Sequence, residues 1–157
     1  MLSIGRVGTP FDGKIREGVV YRLKRAPESP AKYQYLVVSD CMDEPADVIT
    51  IKDFRRVKEK LKRKAKKGIG LEVTVAPARK MDSTAVGKWL EDIKDLYSFC
   101  HSSRCQLVIS SGAESMSEMV SGLCLDAILK NCSINPERHW REMDSWLDAR
   151  LSKRVSA

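Results

Sequence analysis

Short runs rich in β-branched and aromatic residues alternate along the chain with longer segments in which apolar residues recur every three or four positions. The runs are 18–25 (GVVYRLKR), 33–39 (YQYLVVS), 47–51 (DVITI), 69–75 (IGLEVTV) and 105–110 (CQLVIS), and their composition predicts strands. Between the third and fourth runs, 52–67 places Phe54, Val57, Leu61 and Ala65 on one stripe. That is the pattern of an amphipathic helix, with Gly68 expected as its C-cap. A second helix is expected from a cap at Asp82 or Ser83 to about Cys100, with Val86, Trp89, Leu90, Ile93, Leu96, Tyr97 and Cys100 on its apolar face. A third is expected over 115–130. Asn135 followed by Pro136 marks the start of a fourth, running to about residue 153 and turning Met143, Trp146, Leu147 and Leu151 inward. Residues 1–17 hold Gly5, Gly8, Pro10 and Gly13 without a period, and read as a loose segment.

Strands that alternate with amphipathic helices imply parallel βα units. The expected fold is one α/β domain over 18–153. A closed eight-fold barrel takes about 200 residues or more, and the chain has 157. An open sheet or an incomplete TIM-barrel-like arrangement is therefore expected.

Charge sharpens this picture. The formal net charge is +7, and the 52–67 helix alone holds ten basic and two acidic residues. The rest of the chain holds 18 basic and 19 acidic residues, so the excess belongs to one helix. A solvated helix gains from mixed signs at i,i+4, whereas stacked like charges repel. A polyanionic partner is the expectation, and phosphate-backbone contact fits the sparse aromatics better than base stacking. Lys52, Arg55, Arg56, Lys58, Lys62, Arg63 and Lys66 are the candidate RNA-binding residues. Arg22, Arg25, Arg79 and Lys80, at strand ends, are expected to extend the surface. No stretch approaches the roughly 18 apolar residues of a membrane span, and the start, MLSIGRVGTPFDGK, lacks the apolar core of a secretory signal. A cytoplasmic protein without a membrane partner is expected.

Catalytic chemistry finds little to work with. The five cysteines are odd in number and irregularly spaced, so free thiols are expected rather than disulfides. Cys100, His101 and Cys105 cluster in sequence, but without a CxxC pair or a fourth ligand. The histidines are His101 and His139, too few for a barrel metallohydrolase lined by several. No GxSxG, P-loop or GxGxxG motif occurs. A metal-dependent phosphoesterase would have to draw on Asp40, Asp47, Glu72 and His101. The plainer expectation is turn and strand-edge polarity for the aspartates and an inward polar residue for Glu72.

From Asp47 onward the sequence resembles the ribonuclease P protein component 3 family, the thirty-kilodalton protein subunit of archaeal and eukaryotic ribonuclease P. The likeness rests on DVITI (47–51), the charged helix after it, GIGLEVTV (68–75) with Glu72 at the matching place, and LVISSGA (107–113). SINPERHW (133–140) is similar to the family's Pro-Glu element, with His139 where an apolar residue is usual. The family's first strand–helix units have no counterpart here, and GAESMSEMV stands where an Arg-Ser-Pro run is usual. The resemblance implies an N-terminally truncated, TIM-barrel-like subunit of a ribonucleoprotein. Its implied partners are the ribonuclease P RNA, precursor tRNA and other protein subunits. It further implies that cleavage of the 5′ leader is done by the RNA with its Mg²⁺ ions, the protein holding no cofactor. Non-specific nucleic-acid binding through the basic helix is the alternative expectation.

Overall fold

In the computed structural model, residues 9–10, 13–113 and 116–155 are described. Among them six strands form one parallel sheet in chain order: β1 (Thr9–Pro10), β2 (Val20–Leu23), β3 (Gln34–Ser39), β4 (Val48–Thr50), β5 (Gly70–Thr74) and β6 (Gln106–Ser110). Four helices accompany them: α1 (Phe54–Lys64), α2 (Ser83–Ser103), α3 (Gly122–Asn131) and α4 (Pro136–Val155). The expected α/β class with parallel βα units is therefore observed, with α1 joining β4 to β5 and α2 joining β5 to β6. Each of the first three connections crosses without an α-helix among the described residues.

Strand register sorts the side chains onto two faces. Ile49, Leu71, Val73, Leu107 and Ile109 share one face, and pack with Phe54 and Leu61 of α1 and Ile93, Leu96, Phe99 and Cys100 of α2. Leu125 and Leu129 of α3 join the same core. The other face presents Val20, Leu36 and Val48, against which α4 lays Leu147 with Trp146 and Leu151 beside it. Gly70 lies on this face, close under Trp146. A Cβ there would sit 3.0 Å from the Trp146 ring. Trp146 and Arg150 donate to the Gly68 carbonyl, at 2.8 Å from the indole Nε1 and 2.9 Å from the Arg150 Nε. They pin α4 across the strands' N-terminal ends.

The sheet curls around that face. Arg22 of β2 and Glu72 of β5 have two strands between them, a separation of about 14 Å on a flat sheet. Side chains standing on a flat sheet run parallel and do not meet. Here the guanidinium donates to both carboxylate oxygens, at 2.6 and 2.7 Å. The face carrying Glu72 is therefore concave. α4 crosses this face, touching both β3 and β6.

Several boundaries differ from expectation. α1 stops at Lys64, and Ala65 turns extended while its N–H still reaches the Leu61 carbonyl. Gly68 is thus not the C-cap. It takes φ +79° in the turn leading into β5, and Lys66 and Lys67 lie in that turn rather than on the helix. α3 begins at Gly122 behind a Ser121 cap, later than expected, because residues 116–118 form a 3-10 turn. The start of the expected helix at residue 115 lies outside the described residues. The 1–17 segment, expected to be loose, supplies β1, which pairs with β2 through Thr9 and Tyr21. The rest of that expectation over 1–8 and 11–12 lies outside the described residues. The Asn135 cap holds: its side chain accepts from the Arg138 N–H at 2.9 Å.

Candidate nucleic-acid interface

Parallel strands put all their C-terminal ends on one side, and the loops there carry the sites of α/β proteins. Arg25 follows β2, Asp40 follows β3, Lys52 follows β4, and Arg79 and Lys80 follow β5. α1 starts on the same side. Asp53 caps it by accepting from the Arg56 N–H at 3.1 Å, and buried Phe54 and Leu61 fasten it to the core. Arg55 and Arg56 thus stand at the C-terminal rim of the sheet. Lys62, Arg63 and Lys66 lie toward the opposite end, so the basic surface is divided between two rims.

Much of the helix charge is matched locally. Lys52 pairs with Asp40 at 3.2 Å, and Arg55 with Asp92 at 2.6 Å and Glu91 at 3.5 Å. Lys60 pairs with Asp43 at 3.1 Å, Lys64 pairs with the same carboxylate, and Lys62 pairs with Glu59 at 2.7 Å. The two lysines hold the Asp43 carboxyl below its usual range, hydrogen bonding from Lys64 being the larger cause. A linear charge sum over the helix misses these partners, because the 39–44 turn and α2 approach α1 only in the folded chain. Arg56, Lys58, Arg63, Lys66 and Lys67 form no ion pair among the described residues. Lys58 instead lies over the Phe54 ring, 5.7 Å from its centroid, and Arg63 donates to the Glu59 carbonyl. On a 100° helical wheel Arg56 and Arg63 share the apex opposite Phe54 and Leu61. They are the exposed cations best placed to meet a phosphate backbone.

Arg79 occupies a 3-10 turn over Ala76–Lys80 and donates to the Glu118 carbonyl, and Lys80 and Arg25 are exposed. Arg22 is placed apart from α1. Its guanidinium faces the concave side of the sheet and is committed to Glu72, so it is no part of the α1 surface. Glu72 is 1% exposed. Burial pushes its carboxyl up. The hydrogen bonds and charge of Arg22, with the Thr50 and Ser110 hydroxyls, outweigh that and hold it below the usual carboxylate range.

The four residues weighed for a phosphoesterase do not converge. Asp40 lies beyond the C-terminal end of β3, paired with Lys52. Asp47 lies at the opposite end of the sheet, accepting from the Val37 N–H at 2.7 Å. Glu72 is taken up by Arg22, and His101 is exposed on the last turn of α2. Of the Cys100, His101 and Cys105 cluster, Cys100 is buried, and burial pushes its thiol up. Cys105 directs its sulfur to the Lys66 and Ser103 carbonyls, 3.7 Å from each. Among the described residues, no group of three or more His, Cys, Asp or Glu side chains is arranged to hold a metal ion, and no helix is long and apolar enough to cross a membrane.

The LVISSGA segment has a local structural reason. Gly112 takes φ +62°, and a Cβ on it would lie 2.7 Å from the Thr74 Cβ. The turn after β6 is thereby pressed onto the end of β5, continuing the ladder through Ala76 N–H and the Ser111 carbonyl at 3.0 Å. No family model, curated protein or solved structure matches the chain.

Proposed function

We propose that this chain is a non-catalytic RNA-binding subunit of ribonuclease P, built as an incomplete barrel. The in-order parallel sheet, curled so that Arg22 reaches Glu72 over two strands, supports a barrel-derived reading. In that reading α4 fills the lower half of the concavity, and the sheet stays open beyond β6. The observation that carries the functional reading is the α1 apex, where Arg56 and Arg63 stand exposed without an ion pair among the described residues while Lys52, Arg55, Lys60, Lys62 and Lys64 are matched. Such unmatched cations gain by releasing counterions from a nucleic-acid backbone. The chain's work is then to neutralise phosphates and hold the RNA fold, while the RNA and the Mg²⁺ ions it binds cleave the 5′ leader of precursor tRNA. The edges of an open sheet favour a protein neighbour, which fits a place among other ribonuclease P subunits in the cytoplasm.

Co-purification tests this reading. The tagged chain is expected to retain one defined RNA together with other ribonuclease P proteins and precursor-tRNA cleavage. Recovery of bulk RNA without those subunits would favour non-specific binding instead. Arg56→Gln with Arg63→Gln is expected to weaken RNA binding and flatten its salt dependence by roughly 0.7–0.9 in slope per lost phosphate contact. Arg55→Gln, whose charge is already matched by Asp92, is expected to cost less. Equal effects from the two sites would refute the division of the helix surface drawn above.

A further inference from the structure

We infer that the cleft between the first turns of α1 and α2 seats one unstacked nucleotide of a single-stranded RNA segment, its base on the Trp89 ring and its phosphate on Arg56 and Lys88. This deepens the RNA-binding reading and rests on it. The cleft is a shallow groove, open to solvent, of about 360 Å³, a volume within the range of small-ligand sites. Its floor is apolar, made by the half-buried side chains of Met81, Ala85 and Trp89. Arg56 and Lys88 edge it, both exposed and both without an ion pair among the described residues. Of the two carboxylates that line it, Asp92 is neutralised by Arg55 and Asp53 accepts the Arg56 backbone N–H as the α1 cap, which lowers the repulsion an incoming phosphate meets.

The three tryptophans differ in a way that points to a ligand. Trp140 donates its indole N–H to Asp126 at 2.7 Å, and Trp146 to the Gly68 carbonyl at 2.8 Å. Both are tied into the fold. Trp89 makes no such bond among the described residues, and its indole N–H is left to solvent at the cleft. A flat apolar ring flanked by cations suits a base with its phosphate. A duplex keeps its bases stacked and offers no free face, and an acidic peptide uses the cations but not the floor. Only the folded chain shows this. In sequence Trp89 is one more member of the α2 apolar stripe, and the α1 cations that flank it lie more than thirty residues away.

The test uses the full chain and fluorescence anisotropy with labelled hexaadenylate, a labelled RNA duplex and polyglutamate as competitor. Wild type is expected to bind hexaadenylate. Trp89→Ala is expected to weaken that binding about tenfold or more while leaving duplex binding unchanged. Trp89→Phe, which keeps a stacking face and guards against misfolding, is expected to retain most of the affinity, and Lys88→Glu to lose it. Hexaadenylate binding insensitive to Trp89→Ala overturns the inference and leaves the RNA-binding reading standing. Competition by polyglutamate as effective as by hexaadenylate overturns it in favour of an acidic peptide. No binding of either RNA at low salt overturns both readings.

Discussion

Removing the Glu72 carboxylate tests the curl of the sheet directly. Glu72 is 1% exposed and accepts both guanidinium nitrogens of Arg22 and the Thr50 hydroxyl at 2.7 Å. Arg22 keeps 23% of its side chain exposed, so losing its partner is costly but water relieves part of it. Breaking a buried pair by deleting one partner costs about 3–5 kcal/mol, and the partial exposure of Arg22 argues for the lower end, about 3 kcal/mol. Replacing both residues by apolar ones of similar volume, Arg22→Met with Glu72→Leu, is expected to be near neutral, because both desolvation penalties vanish with the pair. Urea unfolding followed by far-ultraviolet circular dichroism on wild type, both single variants and the double variant closes the cycle. With the double variant near neutral, the expected coupling is the sum of the two single losses, about 6 kcal/mol or more. Because the Glu72 carboxyl is held below its usual range, its contribution is complete above the ordinary carboxylate pKa and is lost as the pH falls through the lowered value. A coupling below about 0.5 kcal/mol, the scatter of independent sites, would mean β2 and β5 do not meet across the concavity, and the curled sheet would be refuted.

Two further predictions concern the packing. His139 is fully buried against Trp140, and burial pushes its imidazole down from 6.5 to about 4, Glu142 opposing weakly. The unfolded chain therefore takes up the proton first, so stability is complete above pH 6.5 and falls as the pH drops toward about 4. The loss is about 3 kcal/mol in all; His139→Leu is expected to flatten that slope in urea titrations at pH 7 and 4.5, and an unchanged slope refutes it. Gly112→Ala forces a side chain into φ +62° and against Thr74 and is expected to cost about 2 kcal/mol or more. Gly87→Ala, on α2 with open space around it, is expected to gain about 0.5–1 kcal/mol, and thermal melts that rank the two the other way refute this.

Hydrophobic period and capping residues determine much of the architecture. The runs 33–39, 47–51, 69–75 and 105–110 became β3 to β6 because β-branched residues filling both faces suit a parallel strand covered on two sides. Asp82 and Asn135 became caps because a short side-chain oxygen satisfies the first free N–H groups of a helix wherever it stands. These are local matters, and neighbouring residues carry them. The site was legible only as a density of charge on 52–67. Asp40, Asp43 and Asp92 come from other elements, and in the fold they match Lys52, Arg55, Lys60 and Lys64 and leave Arg56 and Arg63 without an ion pair among the described residues. Arg22 reads in sequence as a strand-end cation, and Trp89 as core. The first is drawn to a carboxylate fifty residues away, and the second is left half open at a cleft between two helices. Which charges cancel and which ring stays exposed are set by distances across the fold: the curl of the sheet brings Arg22 to Glu72, and the packing of α2 beside α1 sets Asp92 against Arg55 and leaves Trp89 at their seam.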